Sequence, residues 1–172
     1  MVYIEQLIEE LEPYKKIQKE GYEGEYRDGL KHGRGVFRYA NGDVYEIEFN
    51  DGRLNGRGVM NYTSGSVYDG QYDDDKRNGF GVYTFANGNV YEGEWKGKNK
   101  KHSRGTMRYA NGDVFEGAFM DNNRNGSGVF RYANGDAYEG QYSDNFRHGR
   151  GIFKYANGDV YDGEWENNKK MT

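Results

Sequence analysis

The sequence predicts a mainly β protein: one elongated antiparallel meander sheet of stacked β-hairpins, preceded by a short N-terminal amphipathic α-helix. Two observations lead to this fold class, a pattern that recurs about every 23 residues and Asn-Gly pairs between short alternating segments. A third is composition, since aromatic residues make up 16% of a chain that is only 34% hydrophobic. Aromatic side chains bury roughly 150–250 Å² each, so a few of them can cover a sheet that has no thick core.

Composition and charge exclude several classes of protein. The 172 residues include 24 Lys and Arg against 28 Asp and Glu, a net charge of -4 that disfavours a general nucleic-acid binder. The sequence has no Cys, which excludes a disulfide framework, a thiolate metal site and a cysteine nucleophile. It has no apolar run long enough for a transmembrane helix, and the acidic residues 1–20 do not resemble a secretory signal. We therefore expect a cytoplasmic protein.

The repeat sets the predicted domain organisation. The first unit begins at Tyr22 and reads YEGEYRDGLKHGRGVFRYANGDV, and the sixth begins at Tyr138 and reads YEGQYSDNFRHGRGIFKYANGDV. A half unit follows from Tyr161. Residues 22–172 therefore form an array of six full repeats and a half repeat, and residues 1–20 form a separate helical segment.

Each unit predicts two strands. Rings and Gly alternate with Glu in the first segment, which is typical of a half-buried strand, and the second strand runs through GVFRY. Asn41-Gly42 and its equivalents predict type I′ turns between units, whereas a longer polar link joins the strands within a unit and ends in Gly-x-Gly. Hairpin following hairpin predicts a meander of ~13 strands spanning roughly 60 Å, in which each unit contacts only its neighbours.

The pattern Y-x-G-x-[YFW]-x6-G-x-G at this spacing resembles the MORN repeat (membrane occupation and recognition nexus) over residues 22–172. The resemblance implies stacked hairpins and no intrinsic catalysis, and we expect no cofactor and no metal. Family members act as scaffolds and tethers at cytoskeletal and ciliary structures or membrane junctions, or as accessory regions of lipid kinases and methyltransferases. We therefore expect a non-enzymatic scaffold that binds a helical or extended protein segment in an aromatic-lined trough.

The first strands supply the rings expected to line this trough, in addition to their packing along the sheet. They are Tyr22, Tyr26, Tyr45, Phe49, Tyr68, Tyr72, Tyr91, Trp95, Phe115, Phe119, Tyr138, Tyr142, Tyr161 and Trp165.

The N-terminal segment carries an apolar stripe, Ile4, Leu7, Ile8 and Leu11, at the spacing of one helix face. Pro13 predicts that the helix ends near residue 12. Such a short helix is not stable alone. Three interpretations remain open: packing on this chain's own sheet, at one end or in the trough; dimerisation or an external partner; or a frayed tail. Open sheet edges are a second route to a homodimer.

A basic stretch coincides with a one-residue insertion in the fourth unit. It comprises Lys96, Lys98, Lys100, Lys101, Arg104 and Arg108. One interpretation is a solvated loop. The alternative is a patch that attracts anionic phospholipid or an acidic partner, which would make the protein a peripheral membrane tether. A third possibility is that the chain is an accessory region of a larger enzyme.

Two substitutions depart from the family pattern. Ile47 and Ser103 each replace a Gly, and we expect a local irregularity in the fourth unit. The only histidines, His32, His102 and His148, occupy the same loop position in different units. They should therefore lie along one edge rather than converge on a catalytic or metal site.

Overall fold

The computed structural model describes residues 21–97 and 99–171, which form one antiparallel sheet of fourteen strands in sequential order. The strands are β1 (Gly21–Arg27), β2 (Leu30–Arg38), β3 (Val44–Asn50), β4 (Arg53–Asn61), β5 (Val67–Asp73), β6 (Lys76–Thr84), β7 (Val90–Lys96), β8 (Lys100–Arg108), β9 (Val114–Met120), β10 (Asn123–Arg131), β11 (Ala137–Ser143), β12 (Phe146–Lys154), β13 (Val160–Glu166) and β14 (Lys169–Lys170). The predicted single meander is confirmed. The helix predicted in residues 1–20 lies outside the described residues.

The turn types are the reverse of the prediction. The short turn lies within each unit: Asp28 and Gly29, between β1 and β2, both have positive φ, 51° and 78°, the signature of a two-residue type I′ turn. Asp and Asn occupy most of the equivalent positions because their side chains tolerate this conformation. The prediction missed this because Asp-Gly and Asn-Gly pairs both favour positive φ, so the pair alone does not show which of the two turns is the short one.

The turns between units are longer than predicted. Tyr39 N–H donates to the Asp43 carbonyl at 2.9 Å, which encloses a three-residue loop. Only Gly42 in this loop has positive φ, 90°. The Asn41 side chain instead accepts from Asp43 N–H at 3.0 Å. A type I turn followed by a left-handed Gly fits three residues, so the Asn-Gly pair marks the hairpin but not its type.

Side chains in the turns connect each hairpin to the next one. On the between-unit side, Asp113 Oδ1 accepts from Ala133 N–H at 2.8 Å, one unit further on. On the within-unit side, Asn145 Oδ1 accepts from Arg124 N–H at 2.9 Å, one unit back. Similar bonds recur along both rims of the sheet. We call them turn clips.

Each Gly-x-Gly sits at a β-bulge. In the first unit the pairing shifts between Gly24 and Glu25, and Gly33 takes φ 63°. Ser103 occupies the equivalent place in the fourth unit with φ 56°. The substitution therefore leaves the bulge in place, although an L-residue in this conformation costs about 1 kcal/mol.

We expect Ser103→Gly to raise the free energy of unfolding by about 1 kcal/mol, because Gly takes the left-handed conformation without the steric cost. Urea denaturation followed by circular dichroism measures the change. Ser103→Ala serves as the control, since it removes the hydroxyl but keeps the Cβ. Equal stability of the Gly and Ala variants would contradict the explanation.

Candidate functional site

The two faces of the sheet have different chemistry, because side chains alternate along each strand. One face carries the rings of the first strands together with aromatic and Met residues of the second strands, and we call it the ring layer. The other carries carboxylates, β-branched residues and arginines, and we call it the groove face.

The floor of the ring layer is built on pairs of glycines. Gly70 and Gly81 face each other across β5 and β6. A Cβ on either would lie 2.4 Å from the hydroxyl oxygen of Tyr68, so the Tyr68 ring lies directly over both. Its hydroxyl donates to the Gln71 carbonyl at 3.0 Å. Burial raises the pKa of Tyr68 well above its usual value. The opening rings of most other units lie on equivalent glycines.

The second unit departs from this arrangement. Ile47 pairs with Gly58, whose Cβ would come 2.4 Å from that of Ile47. The isoleucine thus fills the space over the glycine that a ring occupies elsewhere.

A second set of rings stands edge-on between neighbouring units. Trp95 makes T-shaped contacts with Tyr91 of its own unit and with Tyr68 of the preceding unit, with ring centroids 5.1 and 5.4 Å apart. The same geometry joins Phe119 to Phe115 and Tyr91. The ring layer is therefore one continuous stack in which each unit covers the next.

This packing changes the role of the fourteen rings expected to line a trough. Ten of them are buried in the ring layer, and Tyr26 is the exposed one. The fold uses them as its core because the glycine pairs let one ring of each unit lie flat beneath the others. The two large grooves open on the opposite face. Direct partner contact through these rings stays a prediction.

One position of the repeat places a cation over the rings in every unit but the second, which the sequence reasoning missed. Its members are Lys31, Arg77, Lys101, Arg124, Arg147 and Lys170, and Leu54 takes the place in the second unit. The Arg147 guanidinium carbon, for example, lies 4.3 Å from the Trp165 centroid. Burial lowers the pKa of Lys101. The signal that could have found them is a basic residue at the repeat spacing, two places before Gly-x-Gly.

The groove face is concave. Its larger groove has a volume of about 1060 Å³ and is lined by residues from six consecutive strands, β6 to β11. A second groove of about 710 Å³ is lined by residues from β1 to β5. Together they extend over the sheet from β1 to β11.

Carboxylates and β-branched residues alternate across the strands in the middle of the groove face. The carboxylates are Glu23, Glu46, Asp69, Glu92, Glu116, Glu139 and Asp162, and the β-branched residues are Val36, Val59, Val82, Thr106, Val129 and Ile152. Asp69 pairs with Arg57 at 3.2 Å and Asp162 with Arg150 at 3.3 Å. Within the described part of the chain, Glu92 and Glu139 form no ion pair.

Phe80 is the aromatic residue among those that line the larger groove, and 52% of it is exposed. It occupies the middle position of Gly79-Phe80-Gly81, where other units have Arg or Ser. The sequence reasoning missed it, although a ring at this position occurs in this unit alone. An exposed ring in a concave surface is the kind of residue that anchors a partner.

The structure distributes the predicted basic patch over different surfaces. Lys101 lies against the rings of Phe85 and Tyr91. Arg104 and Arg108 line the larger groove on the opposite face, and Lys100 pairs with Asp121 at 3.1 Å. Lys98 lies outside the described residues, and Lys96 is exposed. The described members therefore do not form one surface. Lipid binding by this stretch stays a prediction.

The three histidines lie on β2, β8 and β12. No three His, Cys, Asp or Glu side chains among the residues that the structure describes are grouped to hold a metal ion. In residues 21–97 and 99–171 no helix has the length and apolar character needed to cross a membrane.

Comparison with known proteins identifies one family. The family model described as MORN repeat matches seven consecutive segments, residues 22–44, 45–67, 68–90, 91–114, 115–137, 138–160 and 161–171. Comparison with curated proteins finds no match.

Two solved structures show a remote likeness. One is the SAS-4 (dCPAP) TCP domain in complex with a proline-rich motif of Ana2 (dSTIL) of Drosophila melanogaster, with 16% identity, 77% of this chain and 84% of that chain covered, and a TM-score of 0.36. The other is the TCP10 domain of Danio rerio CPAP in complex with a STIL peptide, with 14% identity, coverage of 80% and 76%, and a TM-score of 0.41. TM-scores this low carry no conclusion about the partner of this chain.

Proposed function

This chain belongs to the MORN repeat family, and we propose that it is a non-enzymatic interaction scaffold that holds a helical or extended protein segment along its groove face. The observation that carries the proposal is the larger groove, which is lined by residues of six adjacent strands. At about 4.8 Å per strand such a groove extends over ~25 Å. It is therefore long enough for a helix of four to five turns.

The groove lining indicates the chemistry of the partner. Glu92 and Glu139 in the middle row favour basic side chains, and Arg104, Arg108 and Arg131 beside that row favour acidic ones. Phe80 on β6 and Val129 on β10 favour apolar side chains at two separate places. Successive carboxylates of the middle row lie two strands apart, about 10 Å. Seven residues of α-helix or three residues of extended chain advance by about the same distance. We therefore propose a partner with a basic residue every seventh position if helical, or every third if extended.

Cytoskeletal or ciliary assemblies are the setting we propose, because scaffolds of this family act there. A tether on anionic membranes would need a continuous basic surface, and the described members of the basic stretch are divided between the two faces. The larger groove thus supports a protein partner better than a lipid one.

We expect Phe80→Ala to weaken binding of a segment with this pattern at least about tenfold, which corresponds to ~1.4 kcal/mol, because it removes the exposed aromatic anchor at the β6 end of the larger groove. The probe is a synthetic 21-residue amphipathic helix with Lys at every seventh position and Leu on the same face. Fluorescence anisotropy measures its affinity for the full chain.

Phe146→Ala is the matched control, since Phe146 is 47% exposed but does not line the larger groove. It should leave the affinity unchanged, whereas Glu92→Gln combined with Glu139→Gln should weaken binding of the basic peptide. No measurable binding to the parent chain, or equal losses for Phe80→Ala and Phe146→Ala, would refute the groove as the binding site.

A further inference from the structure

The first of the edge-on rings, Tyr26, is not covered by a neighbouring ring of another unit in the described part of the chain. Tyr26 is 61% exposed, whereas its equivalents in later units are buried: Phe49, Tyr72, Trp95, Phe119, Tyr142 and Trp165 are all between 4% and 6% exposed. The seven residues hold the same place in the repeat, so their chemistry does not explain the difference. The contrast therefore comes from their neighbours.

The missing neighbour lies on the side of the preceding unit. Each later ring is covered by the opening ring of the unit before it, as Tyr22 covers Phe49 with centroids 4.9 Å apart and Tyr138 covers Trp165 at 5.2 Å. Tyr26 is in the first unit and has no such cover among the described residues. The opposite end of the ring layer needs no such cover, since Trp165, the equivalent ring of the last unit, is only 4% exposed.

The first strand is also an open sheet edge. β1 is seven residues long and pairs on one side, with β2. At the other end the edge strand is β14, two lysines long, and short, charged edge strands are a known protection against unwanted pairing. The first end of the array thus presents an exposed ring and a long edge together.

We infer that residues 1–20 cap this end of their own chain, with the stripe of Ile4, Leu7, Ile8 and Leu11 packed on Tyr26 beside β1. The segment joins the array at Gly21, the first residue of β1. A helix of residues 1–12 is about 18 Å long, close to the ~23 Å of a seven-residue strand. Residues 13–20 extend up to ~26 Å, which is enough to bring the stripe alongside Tyr26.

Charge supports the same placement. Residues 1–12 contain four Glu and no Lys or Arg. Lys31, the cation of the first unit, pairs across the strands with Tyr26, is half-buried over Phe37 at 3.8 Å and forms no ion pair within the described residues. The groove face is a poorer site for the acidic segment, because the groove at this end carries four carboxylates, Glu23, Glu46, Glu48 and Asp69, against two arginines, Arg34 and Arg57. Both arginines already pair with a carboxylate of the groove. We therefore place residues 1–20 at the first end of the array and not in the groove.

Hydrogen exchange of the full chain tests this cap. Leu7→Asp combined with Leu11→Asp should raise the exchange rate of a peptide covering residues 21–27 at least about tenfold, because loss of the cap exposes β1 to solvent. Gln6→Asp combined with Gln18→Asp adds the same charge outside the stripe and should leave the rate unchanged. The strands β12 and β13 should be unaffected by either pair.

Two further measurements make the result decisive. In the first, removal of residues 1–20 should reproduce the effect of the stripe variant. In the second, Lys31→Gln should accelerate exchange in residues 21–27 at low salt. Lys170→Gln, at the same repeat position in the last unit, should leave that exchange unchanged. Equal exchange in the parent and the stripe variant would overturn the proposal. A second outcome would also overturn it: on dilution, light scattering shows a dimer dissociating and residues 21–27 lose their protection from exchange at the same concentration. The segment would then cap a second chain and not its own.

Discussion

Trp95→Ala is expected to lower the free energy of unfolding by about 4 kcal/mol, in the range of other buried aromatic truncations. Trp95 is 4% exposed and stands between the rings of Tyr68 and Tyr91. Its indole Nε1 donates to the Gly81 carbonyl at 3.1 Å, and the Arg77 guanidinium carbon lies 5.1 Å from its centroid. The substitution leaves a cavity between two units and an acceptor without its donor.

Urea denaturation followed by circular dichroism measures the loss. Trp95→Phe is the matched variant, because Phe49 and Phe119 stand at the same repeat position. It keeps an edge-on ring, loses the hydrogen bond to Gly81, and should cost only about 1–1.5 kcal/mol. Phe80→Ala, which truncates an exposed ring nearby, should cost less than about 1 kcal/mol. Similar losses for all three would show that the ring layer is not the core.

Gly81→Ala is expected to cost about 3 kcal/mol although it adds one methyl group. The new Cβ would lie 2.4 Å from the Tyr68 hydroxyl oxygen and 2.7 Å from its ring carbons, so the ring must leave its place over the glycine pair. Gly81 does not have positive φ, so Ala is acceptable to the backbone. The cost is therefore overpacking alone.

Val82→Ala is the control for this substitution. The neighbouring Val82 faces the groove side, and its replacement should cost less than about 1 kcal/mol through lost β propensity and contact. Amide exchange of β5 to β8 shows where the array opens. If Gly81→Ala is as mild as Val82→Ala, the Tyr68 ring does not need the bare glycine beneath it.

The strand order and the location of the rings on one face could be predicted from the sequence. Alternation in segments such as YEGEY fixes which residues share a face, and successive turn signals leave no room for a crossover. The role of that face could not be predicted in the same way. Whether Tyr68 is open to a partner or buried depends on contacts with Trp95 one unit further on, and the repeat pattern alone does not give the distance between them.

The groove was missed for a related reason. Glu and Val at alternate cross-strand positions resemble an ordinary solvated face, and only the curvature of the assembled sheet makes this face concave. Two other features are visible in the sequence. The cations over the rings recur at one repeat position, and Phe80 is a ring at a position where the other units have Arg or Ser. The turn types were predicted wrongly because Asp-Gly and Asn-Gly both favour positive φ, and loop length decides between them.

The turn clips make the length of this protein adjustable in equal steps. Each clip joins a turn to the hairpin one unit away, so most units offer the same two attachments to the unit that follows. The junction of the first two units lacks one clip, because Gly52 stands where later units have Asp or Asn. Duplication or loss of one 23-residue block would lengthen or shorten the array by about 10 Å and leave every remaining junction intact. Evolution can thus set the span of such a protein by copy number, without redesigning a single residue.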